Sequence, residues 1–114
     1  MLWERDKMRA VHNKLVRDKI PEIIEKASKT AYTHILSDEE YISELDKKLG
    51  EEFAEYQADK NIEELADMLE VMYAIAEVRG WSVSELEAVR RDKFEKRGGF
   101  KDKIYLEYVE DENE

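Results

Sequence analysis

A chain of 114 residues is the size of one domain, and we expect 1–114 to form one, with a loose segment over 1–11 and an acidic tail over 110–114. Its 29 Asp and Glu against 19 Lys and Arg give a net charge of −10, which argues against a nucleic-acid polymer as partner. The absence of cysteine excludes disulfide scaffolds and cysteine-based zinc sites. No signal-peptide-like or membrane-spanning run occurs, so we expect a soluble cytoplasmic protein with no membrane partner.

Helical periodicity divides most of the chain into four predicted helices, over 21–29, 38–58, 62–79 and 83–97. Their starts are marked by Pro21, Ser37, Asn61 and Ser82. Both serines are followed three residues later by glutamate, which is the capping-box pattern. The segment KIYLEYV over 103–109 alternates, and predicts a short strand or extended strap whose natural partner is VHNKLV over 11–16. The predicted fold is an all-α antiparallel helical bundle with this small C-terminal addition.

Two carboxylate pairs lie in the second and third predicted helices, Glu52 with Glu55 and Glu64 with Asp67. Each pair is spaced i, i+3 and therefore shares a helical face. Glu52 falls on the edge of an apolar stripe that consists of Ile42, Leu45, Leu49, Phe53 and Tyr56. In the third helix the solvent face is supplied by Glu63, Glu70 and Glu77, whereas the opposite side carries Met68, Val71, Ile75 and Val78. Glu64 and Asp67 share that apolar side, where acids are not expected.

A carboxylate in a packed interior costs several kcal/mol unless it is paired, protonated or bound to a metal. Four carboxylates together also repel one another, so they require a counter-charge. Oxygen ligands without cysteine favour Mg²⁺ or Mn²⁺ over zinc. We therefore predict a metal site at the two pairs; the alternative is that these acids are solvated or bridged to lysine and arginine.

Two basic clusters flank the acidic helices. The first consists of Lys14, Arg17 and Lys19, and the second includes Arg97 and Lys103 around Gly98 and Gly99. Arginine offers a planar fork and lysine a mobile point charge, so either cluster is a candidate phosphate clamp. The alternative for both is an ordinary solvated turn or helix end.

The order of these segments resembles the MazG-like branch of the all-α nucleotide pyrophosphohydrolase superfamily, which includes phosphoribosyl-ATP pyrophosphohydrolases and dimeric dUTPases. Its motif E-E-x-x-E followed by E-x-x-D matches Glu51, Glu52, Glu55, Glu64 and Asp67. NKLVRDKIPEII over 13–24 and KRGGFKDKIYLEYV over 96–109 resemble the flanking signatures of small house-cleaning members. The short spacing between the acidic blocks departs from the usual pattern, which suggests a minimal helix hairpin and leaves the substrate open.

The resemblance implies Mg²⁺-dependent hydrolysis of a nucleoside triphosphate to its monophosphate and pyrophosphate, by in-line attack of water. The implied Mg²⁺ ligands are Glu52, Glu55, Glu64 and Asp67, with Glu51 as an accessory catalytic residue. The implied phosphate-binding residues are Lys14, Arg17, Lys19, Arg97 and Lys103. Family members are usually homodimers or homotetramers with sites near subunit interfaces.

Three alternatives stay open at this point. One is hydrolysis of phosphoribosyl-ATP, which uses the same chemistry. Another is a non-catalytic helical regulatory or binding module, against which the intact acid quartet argues. The third is a carboxylate-bridged redox protein, but His12 and His34 lack the i, i+3 partnership with glutamate of di-iron bundles, and we interpret both as structural.

Overall fold

The computed structural model describes residues 9–111, which form four α-helices and no strand. These are α1 (Ile20–Lys26), α2 (Asp38–Asp59), α3 (Ile62–Val78) and α4 (Val83–Arg97). The all-α class and the number of helices predicted from the sequence are confirmed. The loose segment predicted over 1–11 and the acidic tail predicted over 110–114 lie mostly outside the described residues, and their described parts, 9–11 and 110–111, are irregular and exposed.

Side-chain caps set the helix starts where the sequence predicted them. The Ser37 hydroxyl accepts a hydrogen bond from the Glu40 N–H at 3.2 Å, and the Glu40 carboxylate accepts one from the Ser37 N–H at 3.0 Å. The Asn61 side chain accepts from the N–H of Glu64 at 3.0 Å. These bonds satisfy donors that a helix N-terminus otherwise leaves without partners. The cap at Asn61 therefore fixes Glu64 in the first turn of α3.

Helices α2 and α3 form the principal packing unit, a helical hairpin joined by the two residues Lys60 and Asn61. So short a connection makes the two helices antiparallel neighbours. The buried apolar residues of the described chain all belong to this hairpin, and they are Leu45, Val71 and Ala76. Helix α4 has a much smaller interface with α3 and none with α2.

The chain is elongated, with a Cα radius of gyration of 20.7 Å where a compact domain of this length has about 13 Å. Phe53, which belongs to the apolar stripe predicted for α2, is 47% exposed, and Ile23 of α1 is 57% exposed. They lie exposed because no other element within residues 9–111 covers them. Much apolar surface of one chain is thus left without a partner.

The segment after α4 is irregular and exposed between Phe100 and Asp111. The predicted strand pairing of 103–109 with 11–16 is wrong, since no strand occurs among residues 9–111. Asn13 has a φ of 47°, a left-handed conformation that is incompatible with a continuous strand over 11–16. Within residues 9–111, no helix has the length and apolar character needed to cross a bilayer.

Candidate metal centre

Three carboxylates meet where α2 faces the beginning of α3. One oxygen from each of Glu52, Glu64 and Asp67 lies within 4.8 Å of the other two. Glu64 and Asp67 come together because they are one turn apart on α3, and the hairpin places Glu52 opposite them. In an octahedral Mg²⁺ site, opposite ligand oxygens lie about 4 Å apart and neighbouring ones about 3 Å apart, so this cluster would contract around one divalent cation.

The cluster contains a carboxylate oxygen that has no hydrogen-bond partner in the described part of the chain. Glu52 is only 7% exposed and is the buried charged residue of the described chain. The Oε2 atom of Glu64 is buried and has no hydrogen-bond partner among the described residues. Burial raises the pKa of Glu64, and the negative charges of Glu55, Asp59, Asp67 and Glu52 raise it further. An unsatisfied buried oxygen among negative charges is a donor suited to a hard cation.

Lys48 is a further cation at the site, and the sequence did not predict it there. Its Nζ lies 3.3 Å from Oε1 of Glu52 and 3.4 Å from Oε1 of Glu51. Its side chain is only 16% exposed, so this contact is largely removed from water. The available signal was spacing, because Lys48 is four residues before Glu52 and three before Glu51 on one helix.

The segment before α1 crosses the acidic cluster and adds two further cations. Lys14 Nζ lies 3.0 Å from Oε1 of Glu51, and Arg17 Nη2 lies 2.7 Å from Oδ1 of Asp67. The hydrogen bond to Glu51 and its negative charge raise the pKa of Lys14. Partial burial acts to raise the pKa of Glu51, but the hydrogen bond from Lys14 and the charges of Lys48 and Lys14 outweigh it and lower that pKa. Two residues predicted to bind phosphate therefore lie at the predicted metal site.

The other predicted site residues lie farther out. Glu55 is exposed and is not part of the close trio, although its charge reaches Glu64. Lys19 is exposed at the N-cap of α1. Arg97 and Lys103 line an open cavity of about 280 Å³ beyond the end of α4, together with Phe94, Gly98, Gly99 and Phe100. No hydrogen bond or ion pair within 9–111 joins this cavity to the acidic cluster, and α4 contacts neither α1 nor α2.

No family model matches the chain, and no solved structure matches it. A stretch of 44 residues, 39% of the chain, is 52% identical to an uncharacterized protein of Mycolicibacterium smegmatis (strain ATCC 700084 / mc(2)155). This stretch covers 45% of that relative, so the chain matches less than half of its length. The likeness carries no information about activity.

Proposed function

We propose that this protein is a cytoplasmic, Mg²⁺-dependent nucleoside triphosphate pyrophosphohydrolase of the MazG-like kind. It would convert a standard or modified NTP or dNTP to the monophosphate and pyrophosphate. The observation that carries the proposal is the meeting of Glu52, Glu64 and Asp67, with one buried oxygen of Glu64 left without a donor. The motif E-E-x-x-E followed by E-x-x-D, which resembles that of nucleotide pyrophosphohydrolases, supports this reaction for the cluster.

The donor set fits Mg²⁺, with Mn²⁺ as a substitute, because every candidate ligand is a carboxylate oxygen. Glu52, Glu64 and Asp67 would hold the ion, and Glu55 remains the predicted fourth ligand. A bound Mg²⁺ neutralises phosphate oxygens and stabilises the charge that develops during phosphoryl transfer. Glu51 would act indirectly, since it holds both Lys14 and Lys48 beside the cluster.

The proposal includes a homodimer or homotetramer. The exposed apolar residues of α3 recur at helical spacing along one stripe, which consists of Ile62, Leu65, Leu69 and Met72. One chain buries too little apolar surface for a domain of its length, so a second copy is the natural cover for this stripe. Phosphate binding by Arg97 and Lys103 would then come from a neighbouring subunit, because they do not reach the acidic cluster of their own chain.

The direct test is pyrophosphate release from a panel of standard and modified NTPs and dNTPs, and from phosphoribosyl-ATP, with Mg²⁺ or Mn²⁺. We expect release from at least one triphosphate that depends on the metal. Release from phosphoribosyl-ATP alone would identify the protein as a phosphoribosyl-ATP pyrophosphohydrolase instead. No release from any compound would reject the enzyme and favour the non-catalytic binding module.

A further inference from the structure

Three protein cations contact the acidic cluster, but they are held in different ways. Lys48 projects from within α2, and its side chain is largely buried against Glu52. Lys14 and Arg17 belong to the non-helical segment before α1, and their side chains are 42% and 57% exposed. Ion pairs between exposed side chains are weak and are exchanged readily. Of the two exposed cations, Arg17 contacts a member of the acidic trio, whereas Lys14 pairs with Glu51 outside it. Arg17 is therefore the cation that can leave a carboxylate of the trio.

The partner of Arg17 is itself a proposed metal ligand. Arg17 Nη2 contacts Oδ1 of Asp67 at 2.7 Å, and an oxygen of Asp67 belongs to the trio with Glu52 and Glu64. A guanidinium at this distance and a divalent cation on the same carboxylate would repel each other. Binding of the ion and the Arg17–Asp67 pair therefore compete.

The backbone of Arg17 stays anchored when its side chain is released. The Arg17 carbonyl accepts a hydrogen bond from the N–H of Ile20, the first residue of α1, at 3.1 Å. A displaced guanidinium thus remains within one side-chain length of the cluster. Its planar fork matches two oxygens of a phosphate.

We propose that Arg17 is the counter-ion of Asp67 in the metal-free protein, and that a divalent cation displaces it and makes it available to the phosphate of an anionic ligand. This inference rests on the proposed function, because it takes the acidic trio as the cation site. It adds an order of binding, with the cation first and the anion second. It also couples the two binding events. The bound cation attracts the anion by its own charge, and it releases the Arg17 guanidinium as a second positive group.

The experiment measures two affinities by calorimetry on the full chain. The first is that of Mg²⁺ alone, and the second is that of inorganic pyrophosphate at saturating Mg²⁺. Arg17→Ala is expected to bind Mg²⁺ about two- to fivefold more tightly than the wild type, because no exposed ion pair must be broken. It is expected to bind pyrophosphate about tenfold more weakly, because a charged hydrogen-bond donor is lost.

Lys29→Ala is the matched control. Lys29 is exposed beyond the end of α1 and has no ion pair among the described residues, so its removal changes the net charge equally without freeing an acid. It is expected to leave both affinities at the wild-type level. Arg17→Lys keeps the charge and loses the fork, and should give intermediate pyrophosphate affinity.

Opposite changes in the two affinities support the exchange, since loss of a merely structural residue would weaken both. Mg²⁺ affinity of Arg17→Ala that is equal to or weaker than that of the wild type would refute it, and so would unchanged pyrophosphate affinity. In the wild type, the NMR signal of the Arg17 Nε–H group should shift with the midpoint of the Mg²⁺ titration, which tests the release even if a variant fails to fold. Absence of any Mg²⁺ binding to the wild type would reject the metal site itself and the exchange with it.

Discussion

The α2–α3 hairpin and the region from α4 to residue 111 differ in what stabilises them. The hairpin contains the buried residues of the described chain and brings three acids into one cluster. Helix α4 has no buried residue, and Phe100 beyond it is 98% exposed. Packing therefore maintains the hairpin, whereas α4 depends on its capping box and on ion pairs within the helix, such as Arg90–Glu87 and Lys96–Asp92.

The acidic cluster and the exposed C-terminal surface therefore lie in different regions of the molecule. The acidic cluster is complete within the hairpin and the segment of Lys14 and Arg17. The C-terminal region instead offers exposed apolar and basic residues, which can gain free energy only by contacting another molecule. The two regions should consequently respond to different perturbations.

The largest expected effect is on catalysis and belongs to the hairpin. If the proposed function is correct, Glu64→Gln and Asp67→Asn should each lower metal-dependent pyrophosphate release by about a thousandfold or more, because each removes the charge of a proposed ligand. Glu63→Gln is the matched control, since Glu63 precedes Glu64 but lies exposed on the other side of α3. Equal losses in Glu63→Gln and Glu64→Gln, measured as kcat/KM, would contradict the face assignment.

The second effect is on stability and contrasts the two regions directly. Leu45→Ala should lower the free energy of unfolding by about 2–5 kcal/mol, because the residue is only 3% exposed. Val89→Ala in α4 should change it by no more than about 0.5 kcal/mol in dilute solution, because Val89 is exposed. Urea denaturation measures both values. A large effect of Val89→Ala that grows with protein concentration would show that α4 is packed only in the oligomer.

The third effect is thermal and depends on the metal. Mg²⁺ at ten times its dissociation constant should stabilise the wild type by about 1.4 kcal/mol and raise its Tm by several degrees. Glu64→Gln should melt higher than the wild type in EDTA, because it removes a charge that burial and neighbouring acids disfavour. The same variant should lose most of the Mg²⁺ response in calorimetry. A full Mg²⁺ response in this variant would place the ion elsewhere.

The smallest effect is a pH dependence confined to α4. The hydrogen bond from Arg90 and the charges of Arg90 and Arg91 lower the pKa of Glu87 from its ordinary value of 4.5. A lowered folded-state pKa contributes stability above the unfolded-state value, and that contribution is lost as the pH falls through the folded-state value. Acidification below pH 4.5 should therefore lower the protection of the α4 amides, measured as the ratio of the intrinsic to the observed exchange rate, and Glu87→Gln should show this lower protection already at neutral pH. Identical pH profiles of the two proteins in α4 would exclude the ion pairs as its support.

The sequence predicted best what is decided locally. Helix starts at Ser37, Asn61 and Ser82 follow from side chains that bond to the backbone three residues later. The helical period likewise predicts that Glu64 and Asp67 lie on the inward face of α3, and both are partly buried. These features need no knowledge of distant residues.

The features that the sequence did not predict depend on contacts between segments. The pair of Arg17 and Asp67 joins residues 50 positions apart, and no local pattern encodes it. Lys48 has the spacing of an ordinary surface ion pair and is distinguished only by its burial at the site. Phe53 matches the apolar stripe of α2 but remains 47% exposed, because no other described element covers it.

The connection between α2 and α3 sets the orientation of the cluster. Lys60 ends α2 in a left-handed conformation with φ 51°, and Asn61 is extended and caps α3. One additional residue in an α-helix rotates everything after it by about 100°. An insertion at the start of α3 would thus turn Glu64 and Asp67 away from Glu52 while every carboxylate was retained. The acidic cluster can therefore be taken apart by one inserted residue, without substitution of any acid.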